Sequence, residues 1–344
     1  MKINSILLIF AFLSVVLTSC QTDIDFSGTE TSTLLVVNSI ITPDSIIKVQ
    51  VSESKFFLDN DSRFNDVPDA IVKIWVNDIE QPVLIHKGNG LYVSSYLPKV
   101  GDIIRITAKN DKYAEVKSTT EVLAAIPILS VDTSYKVTDR YPILTYYGDY
   151  GSTADTIGYN YNIEMKMKLH INDPKEADNY YRLLLKTVEY YDNGLSFINV
   201  NYFNSDDPVF GTSSEEGIFG GDSYSIYSVF SDALFNGKDY DLRISTNFFS
   251  YYTTVNDPPK NEDPDVNTAK IIKKELLFEL QSISKSYYLY LKSREASSNV
   301  MEFFSEPVQI YNNIEGGIGI FGNYNTSYFK MEIPKDMGNQ YMYY

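Results

Sequence analysis

The fold of this chain is decided by the stretch Ala70-Ile71-Val72-Lys73-Ile74-Trp75-Val76, which predicts a β-strand. Its even-numbered positions hold Ala, Val, Ile and Val, whereas Lys73 and Trp75 fall on odd-numbered positions. Successive side chains of a strand point to opposite faces of a sheet, so such a strand buries one set and exposes the other. We expect the even-numbered set to face a hydrophobic core.

Similar short runs lie on both sides of this stretch, separated by turn signals such as Pro43-Asp44, Asn77-Asp78 and Gly88-Asn89-Gly90. They predict strands at residues 34–41, 46–52, 91–93, 103–108 and 113–122. Short strands that recur every 8–12 residues or so are typical of a β-sandwich. We therefore predict an all-β protein with an N-terminal immunoglobulin-like or transthyretin-like sandwich over residues 33–125.

Residues 126–344 predict a second, larger β-sandwich domain that begins after a hinge at Ile126-Pro127. Strands are expected at residues 159–171, 180–191, 195–203, 224–230, 240–249, 271–283, 306–311 and 328–333. One α-helix is predicted at residues 285–297, because Tyr287, Tyr288, Leu291 and Arg294 recur there at helical spacing. Ser284 precedes this helix and is the expected N-cap.

The composition bounds the function. Hydrophobic residues make up 44% of the chain, which is enough for real cores, and the formal net charge is −16. Such an acidic surface argues against nucleic acid, whose binding depends on Lys and Arg that neutralise phosphates. The 29 Tyr residues fit cross-strand packing in sheets, and platforms for sugars, porphyrins or other flat ligands are the functional alternative.

Cys20 is the only cysteine of the chain and closes the run Leu17-Thr18-Ser19-Cys20, which has the pattern of a bacterial lipoprotein signal. We predict a signal peptide at residues 1–19, lipidation of Cys20 and a tether at residues 20–32. The lipid would hold the protein on a membrane outside the cytoplasm without a transmembrane helix. A plain secretory signal followed by a chance cysteine is the alternative.

The side chains that commonly carry catalysis are sparse. The chain has two histidines, His86 and His170, and neither belongs to an HExxH motif or follows the pattern of a nucleophile elbow. We therefore predict no catalytic residues, no metal, no cofactor and no enzymatic activity, while the identity of any ligand-binding residue stays open.

Other motifs have structural interpretations that we prefer. Asp206-Asp207 and Glu215-Glu216 are adjacent acids of a kind that arises by chance among 45 acidic residues. The acidic loops 59–66 and 256–265 could bind calcium but are better explained as solvated loops. The glycine-rich segment 316–322 lacks the Lys of a phosphate-binding loop, and a strained turn with close backbone approach is the favoured interpretation.

Several stretches occur in an order that resembles one family of bacterial lipoproteins. They are Leu35 to Asp44, Asp69 to Val72, Gly90 to Tyr92, Val100 to Asp102, Tyr180 to Leu183, Phe230 to Asp232, Phe235 to Lys238, Leu280 to Leu291, Glu306 to Val308 and Asn313 to Gly322. Together they resemble the Bacteroidota lipoproteins of the domain-of-unknown-function 4249 family, over nearly the whole mature chain.

The resemblance supplies no catalytic residue, but it implies a companion of TonB-dependent outer-membrane receptors. We therefore expect an outer-membrane, surface-facing lipoprotein that acts as a binding accessory to such a receptor in nutrient uptake. A structural or adhesive surface protein is the first alternative, and an enzyme of unknown type is the second.

Overall fold

The computed structural model describes residues 32–55, 64–147, 153–175, 177–205, 207–210, 227–253, 271–298 and 309–333. Within these ranges the chain forms sixteen strands, one α-helix and one 3-10 turn at Pro208–Phe210. The helix α1 spans Lys285–Ser298. The strands are β1 (Leu35–Ile41), β2 (Lys48–Glu53), β3 (Ile71–Val76), β4 (Ile79–Glu80), β5 (Ile85–His86), β6 (Leu91–Val93), β7 (Ile103–Lys109), β8 (Val116–Glu121), β9 (Ile128–Tyr147), β10 (Thr153–Asn172), β11 (Tyr180–Tyr191), β12 (Ser196–Asn201), β13 (Val229–Ser231), β14 (Asp239–Thr253), β15 (Ile271–Ile283) and β16 (Ile318–Glu332).

These strands form three sheets. The largest has the order β12-β11-β15-β16-β1-β2-β6-β5, with β13 paired to β11. A four-stranded sheet has the order β4-β3-β7-β8, and a three-stranded sheet has the order β14-β10-β9. The predicted all-β class is confirmed, and so is the helix, which begins where the Ser284 cap placed it.

The first hydrophobic core lies between the four-stranded sheet and the β1, β2 and β6 part of the large sheet. Val72, Ile74 and Val76 of β3 are buried, as the alternation predicted, and they share this core with Val37 and Val51 from β1 and β2. On the opposite face of β3, the guanidinium carbon of Arg105 lies 4.5 Å from the centre of the Trp75 ring system, at the distance of a cation–π contact.

The second core lies between the three-stranded sheet and the β11–β15 part of the large sheet. Met165 and Leu242 contribute from the first of these sheets, and Leu183 and Phe278 contribute from the second. The large sheet thus supports both cores. The domain boundary at residue 125/126 remains a prediction. Strands β1 and β16 come from different predicted domains but pair with each other in the large sheet.

The pairing of β1 with β16 is parallel and depends on the glycine-rich segment. Gly319 has a φ of +127°, and a Cβ at this position would lie 2.1 Å from the carbonyl oxygen of Val37. A larger residue would therefore strain the backbone and clash with β1. The predicted close backbone approach is confirmed, but the predicted turn needs correction, because residues 318–322 belong to strand β16 and only residues 316–317 form a turn.

Two strand predictions need correction. Residues 309–311, placed in a strand from residue 306, are irregular, and the Tyr311 amide instead donates to Ser293 Oγ of α1 at 2.9 Å. Strand β9 was missed, although it pairs with β10 over most of its length. Residues 132–142 of β9 are exposed on both faces, so no hydrophobic alternation marks the strand in the sequence.

Candidate functional site

A cleft of about 430 Å³ lies on the outer face of the large sheet, beside helix α1. Pockets of this size hold small organic ligands. We call it the tyrosine cleft and define it by its lining residues, which come from β1, β2, β6, β11, β16, α1 and the segment before β13. They are Asn38, Ser39, Ile40, Lys48, Gln50, Leu91, Arg182, Tyr227, Tyr287, Tyr290, Leu291, Arg294 and Ile320.

The floor of the cleft is polar because of the alternation along β1. Residues Val37 and Ile41 of this strand are buried, so Asn38 projects from the opposite face. Asn38 lies opposite Gln50 of β2, and its Oδ1 accepts a hydrogen bond from the Ile320 amide at 3.2 Å. The strand register thus fixes an amide group at the base of the cleft.

The wall of the cleft is one face of α1. Tyr287, Tyr290, Leu291 and Arg294 lie on this face because they are spaced three, four and seven residues from the first of them. The helix begins at the Ser284 cap, whose Oγ accepts from the Tyr287 amide at 3.3 Å.

A glycine of β16 sets how closely α1 approaches the sheet. A Cβ on Gly322 would lie 3.0 Å from both Ser284 Oγ and Tyr287 Cβ, which is tighter than ordinary contact. The first turn of the helix therefore packs directly on the strand backbone, and this packing places the Tyr287 side chain beside the sheet.

Two arginines enter the cleft from different elements. Arg182 on β11 donates from Nε to the carbonyl oxygen of Tyr227 at 3.1 Å. Arg294 is exposed, and its guanidinium carbon lies 6.0 Å from the ring centre of Tyr227 and 5.9 Å from that of Tyr290. Both distances fall within the range of cation–π attraction, so two aromatic rings hold the Arg294 head group.

The protonation states around the arginines follow from this packing. A hydrogen bond with Tyr290 is the main cause that raises the pKa of Arg294, which keeps the guanidinium charged. Burial raises the pKa of Tyr287, while the nearby positive charge of Arg182 and a hydrogen bond from it act in the opposite direction. The Tyr287 hydroxyl is therefore a neutral group near neutral pH.

The charge of the cleft is opposite to that of the chain. Among the residues that the structure describes, its lining includes Arg182, Arg294 and Lys48 but no Asp or Glu, although the whole chain has a net charge of −16. In the ranges that the structure describes, neither arginine forms a salt bridge with a carboxylate. The cleft is thus suited to a ligand that presents negative charge and a flat surface.

Neither histidine is among the lining residues of this cleft. His170 of β10 lies between Asp132 and Asp241, with Nε2 3.0 Å from Asp132 Oδ2 and Nδ1 2.5 Å from Asp241 Oδ1. The hydrogen bond with Asp132 is the largest cause that raises the pKa of His170. His86 of β5 lies beside Tyr92, with 5.0 Å between the ring centres.

No metal centre is found among the residues that the structure describes, where no three His, Cys, Asp or Glu side chains are arranged to hold an ion. The absence of catalysis and of a cofactor in the protein stays a prediction.

One of the adjacent acids has a structural role. Asp207 accepts hydrogen bonds from the Tyr240 hydroxyl at 2.5 Å and from the Arg243 amide at 3.0 Å, so it joins the 3-10 turn to β14. Asp206, Glu215-Glu216, the loop 256–265 and residues 59–63 of the other acidic loop lie outside the described residues.

The predicted lipid site and its signal peptide also lie outside the described residues. Among the described residues, no helix combines the length and the hydropathy that a membrane span requires.

The sequence indicated only part of the cleft. The abundance of tyrosine suggested platforms for flat ligands, but nothing in the sequence pointed to Arg182, Lys48 or Tyr227. A usable signal was present in the helix, where Arg294 follows Tyr287 and Tyr290 at intervals that place all three on one face. No local pattern links this face to the floor residues of β1 and β2.

Comparisons with known proteins give a family but no activity. A family model described as a domain of unknown function, DUF4249, matches residues 21–329. No curated protein matches the chain. A crystal structure from Corynebacterium diphtheriae, provisionally described as a membrane anchored protein, has 11% sequence identity and a TM-score of 0.20. The alignment covers 76% of this chain and 56% of that one, so this chain spans about half the length of the Corynebacterium diphtheriae protein.

Proposed function

We propose that this chain, which belongs to the DUF4249 family, is a lipid-anchored, non-catalytic protein of the cell envelope that binds a small ligand in the tyrosine cleft. The observation that carries the proposal is the composition of the cleft. Three tyrosines and two arginines from α1, β11 and the segment before β13 converge on a concave space of about 430 Å³. A pocket with aromatic walls and a few convergent polar groups is a typical arrangement for ligand binding.

The anchoring part of the proposal depends on Cys20 and the lipoprotein-like run before it. A lipid on this residue would tether the folded chain to a membrane through residues 20–32. The proposed location is the outer surface of the outer membrane of a member of the Bacteroidota. The proposed partner there is a TonB-dependent receptor, to which the protein would pass its ligand.

The ligand-binding part can be tested by native mass spectrometry of the mature protein purified from its own host. We expect wild-type protein to carry a small-molecule adduct that Tyr290→Ala loses, because Tyr290 lines the cleft. Tyr202→Ala is the matched control, since this tyrosine follows the end of β12, is 77% exposed and does not line the cleft. The same adduct on all three proteins would show that the cleft does not hold it.

The partner is tested in gently solubilised membranes from the same host. The proposal predicts that wild-type protein co-purifies with one large outer-membrane β-barrel and that Cys20→Ala protein is released from the membrane or remains an unprocessed precursor. Recovery of the protein alone, together with a gene deletion that causes no uptake defect, would favour the structural or adhesive alternative.

A further inference from the structure

The geometry points to a carboxylate attached to a flat apolar ring as the chemical class of ligand for the tyrosine cleft. The two arginines would bind the carboxylate, and the tyrosines would contact the ring. This inference rests on the proposed ligand-binding function and specifies it further.

The charge of the cleft lining indicates that the ligand is an anion. Arg182, Arg294 and Lys48 bring three cationic side chains to one cleft of a chain that is otherwise strongly acidic. Like charges in one space repel each other, and an anionic ligand would relieve that repulsion. A cationic ligand would meet the same repulsion, and no Asp or Glu among the described lining residues would offset it.

The positions of the two arginines indicate that the anionic group is a carboxylate. The guanidinium of Arg182 uses Nε for the Tyr227 carbonyl, so its position is fixed by the protein. The guanidinium carbon of Arg294 lies 6.0 Å from the ring centre of Tyr227 and 5.9 Å from that of Tyr290. Planar guanidinium groups match the two oxygens of a carboxylate, and groups that are already positioned lose little entropy when they bind.

The aromatic surface of the cleft indicates that the ligand has a flat apolar ring. Tyr287 and Tyr290 add ring area beside the apolar Leu291 and Ile320, so the charged side chains adjoin a partly apolar surface. Aromatic rings attract other flat apolar surfaces beyond the effect of area alone. An anion without such a surface would leave this part of the cleft in contact with water.

The test uses a matched pair of probes, 2-naphthoate and 2-naphthamide, which share a fused ring and differ in charge. Isothermal titration calorimetry of the mature protein is expected to show binding of 2-naphthoate that is about tenfold or more tighter than that of 2-naphthamide, because charged hydrogen bonds are the stronger ones. The affinity for 2-naphthoate should fall as salt rises, while that for 2-naphthamide should change little.

Variants then locate the effect. Arg294→Gln should weaken 2-naphthoate binding by about tenfold and leave 2-naphthamide binding unchanged, whereas Arg294→Lys should recover part of the loss. Lys285→Gln removes one positive charge from the same helix outside the cleft and should have no effect. Lys48→Gln changes an exposed cleft residue of β2 and does not involve the helix. It should also weaken the binding of 2-naphthoate and leave that of 2-naphthamide unchanged.

The outcomes separate the two proposals. If both probes bind equally and Tyr290→Ala abolishes the binding of both, the carboxylate class is overturned and the ligand-binding function stands. If neither probe binds the wild-type protein, the inference is also overturned. The adduct measured by native mass spectrometry then decides independently whether the cleft binds any ligand.

Discussion

The first hydrophobic core, which we call the N-terminal core, and the tyrosine cleft lie on opposite faces of β1 and β2. They differ in composition. The core contains mainly aliphatic side chains that are almost fully buried, such as Val49, Val51 and Ile104. The cleft contains partly exposed tyrosines, amides and cations. One pair of strands therefore supports stability with one face and a proposed binding site with the other, so substitutions on the two faces should have separable effects.

The largest expected effect is on the core side. Phe321 of β16 is fully buried in the N-terminal core, although it comes from the far end of the chain. Phe321→Ala should lower the free energy of unfolding by about 3–5 kcal/mol, because it removes buried apolar area and leaves a cavity. Urea denaturation followed by circular dichroism measures the change. Tyr328→Ala on the same strand, where the side chain is 59% exposed, should cost less than about 1 kcal/mol.

A smaller decrease in the free energy of unfolding is expected when Asn323 is replaced. This residue joins the two predicted segments. Its side chain is fully buried, and its Nδ2 donates to Thr120 Oγ1 and to the Glu121 carbonyl, each at 2.7 Å. Its Oδ1 accepts from the Leu123 amide at 3.2 Å. Asn323→Ala would leave the buried Thr120 hydroxyl and two part-buried backbone groups without these partners, and it should cost about 2–3 kcal/mol.

The matched control is Asn325→Ala, because Asn325 makes a single hydrogen bond of this kind, to the Leu123 carbonyl at 2.9 Å. This variant should cost about 1 kcal/mol. Equal stability of the two variants would show that the Asn323 network does not hold the segments together. Faster hydrogen exchange at the Leu123 amide in Asn323→Ala protein would locate the effect.

The same contrast explains what the sequence could predict. The core of β3 was predictable because a strand alternates between two faces, so seven consecutive residues contain the information. The helix was predictable because its spacing and its Ser284 cap are also local. The parallel pairing of β1 with β16 was not, since the partners Val37 and Gly319 are separated by most of the chain.

The cleft was only partly predictable for the same reason. Its floor depends on the register of Asn38 against Gln50 and Ile320, and its wall depends on how closely α1 packs on Gly322. Both are tertiary properties without a local pattern. The abundance of tyrosine favoured sheet packing as a general explanation, and only the structure distinguishes the tyrosines of the cleft from the others.

On the cleft side, Arg294→Gln should leave stability almost unchanged. Arg294 is exposed and lacks a carboxylate partner among the described residues, so its loss removes only ring contacts and a hydrogen bond with Tyr290. We expect a change within about 0.5 kcal/mol in urea denaturation, as for most surface substitutions. A loss as large as that of Asn323→Ala would mean that the cleft residues are needed for folding, and the proposed separation of the two faces would be wrong.

The smallest expected effect on stability comes from the titration of His170, which lies outside both regions. Its titration shows whether a change of pH affects either region. The carboxylates of Asp132 and Asp241 flank its ring, and the hydrogen bond with Asp132 is the main cause of its raised pKa. A group whose pKa is higher in the folded state than in the unfolded state stabilises the fold below its unfolded value, which is about 6.5 for His. That contribution is lost as pH rises through the folded pKa.

The pKa is measured by NMR titration of the imidazole signals. The chain has only two histidines, so the signal that disappears in His170→Gln protein identifies the residue. We expect the His170 signal to titrate above pH 6.5, and its pKa to fall towards the ordinary value in Asp132→Asn protein, because that change replaces the carboxylate with an uncharged amide. The cleft arginines stay charged throughout this range, so binding of 2-naphthoate should not follow the His170 titration. A binding curve that does follow it would couple this exposed cluster to the cleft and contradict the independence of the two regions.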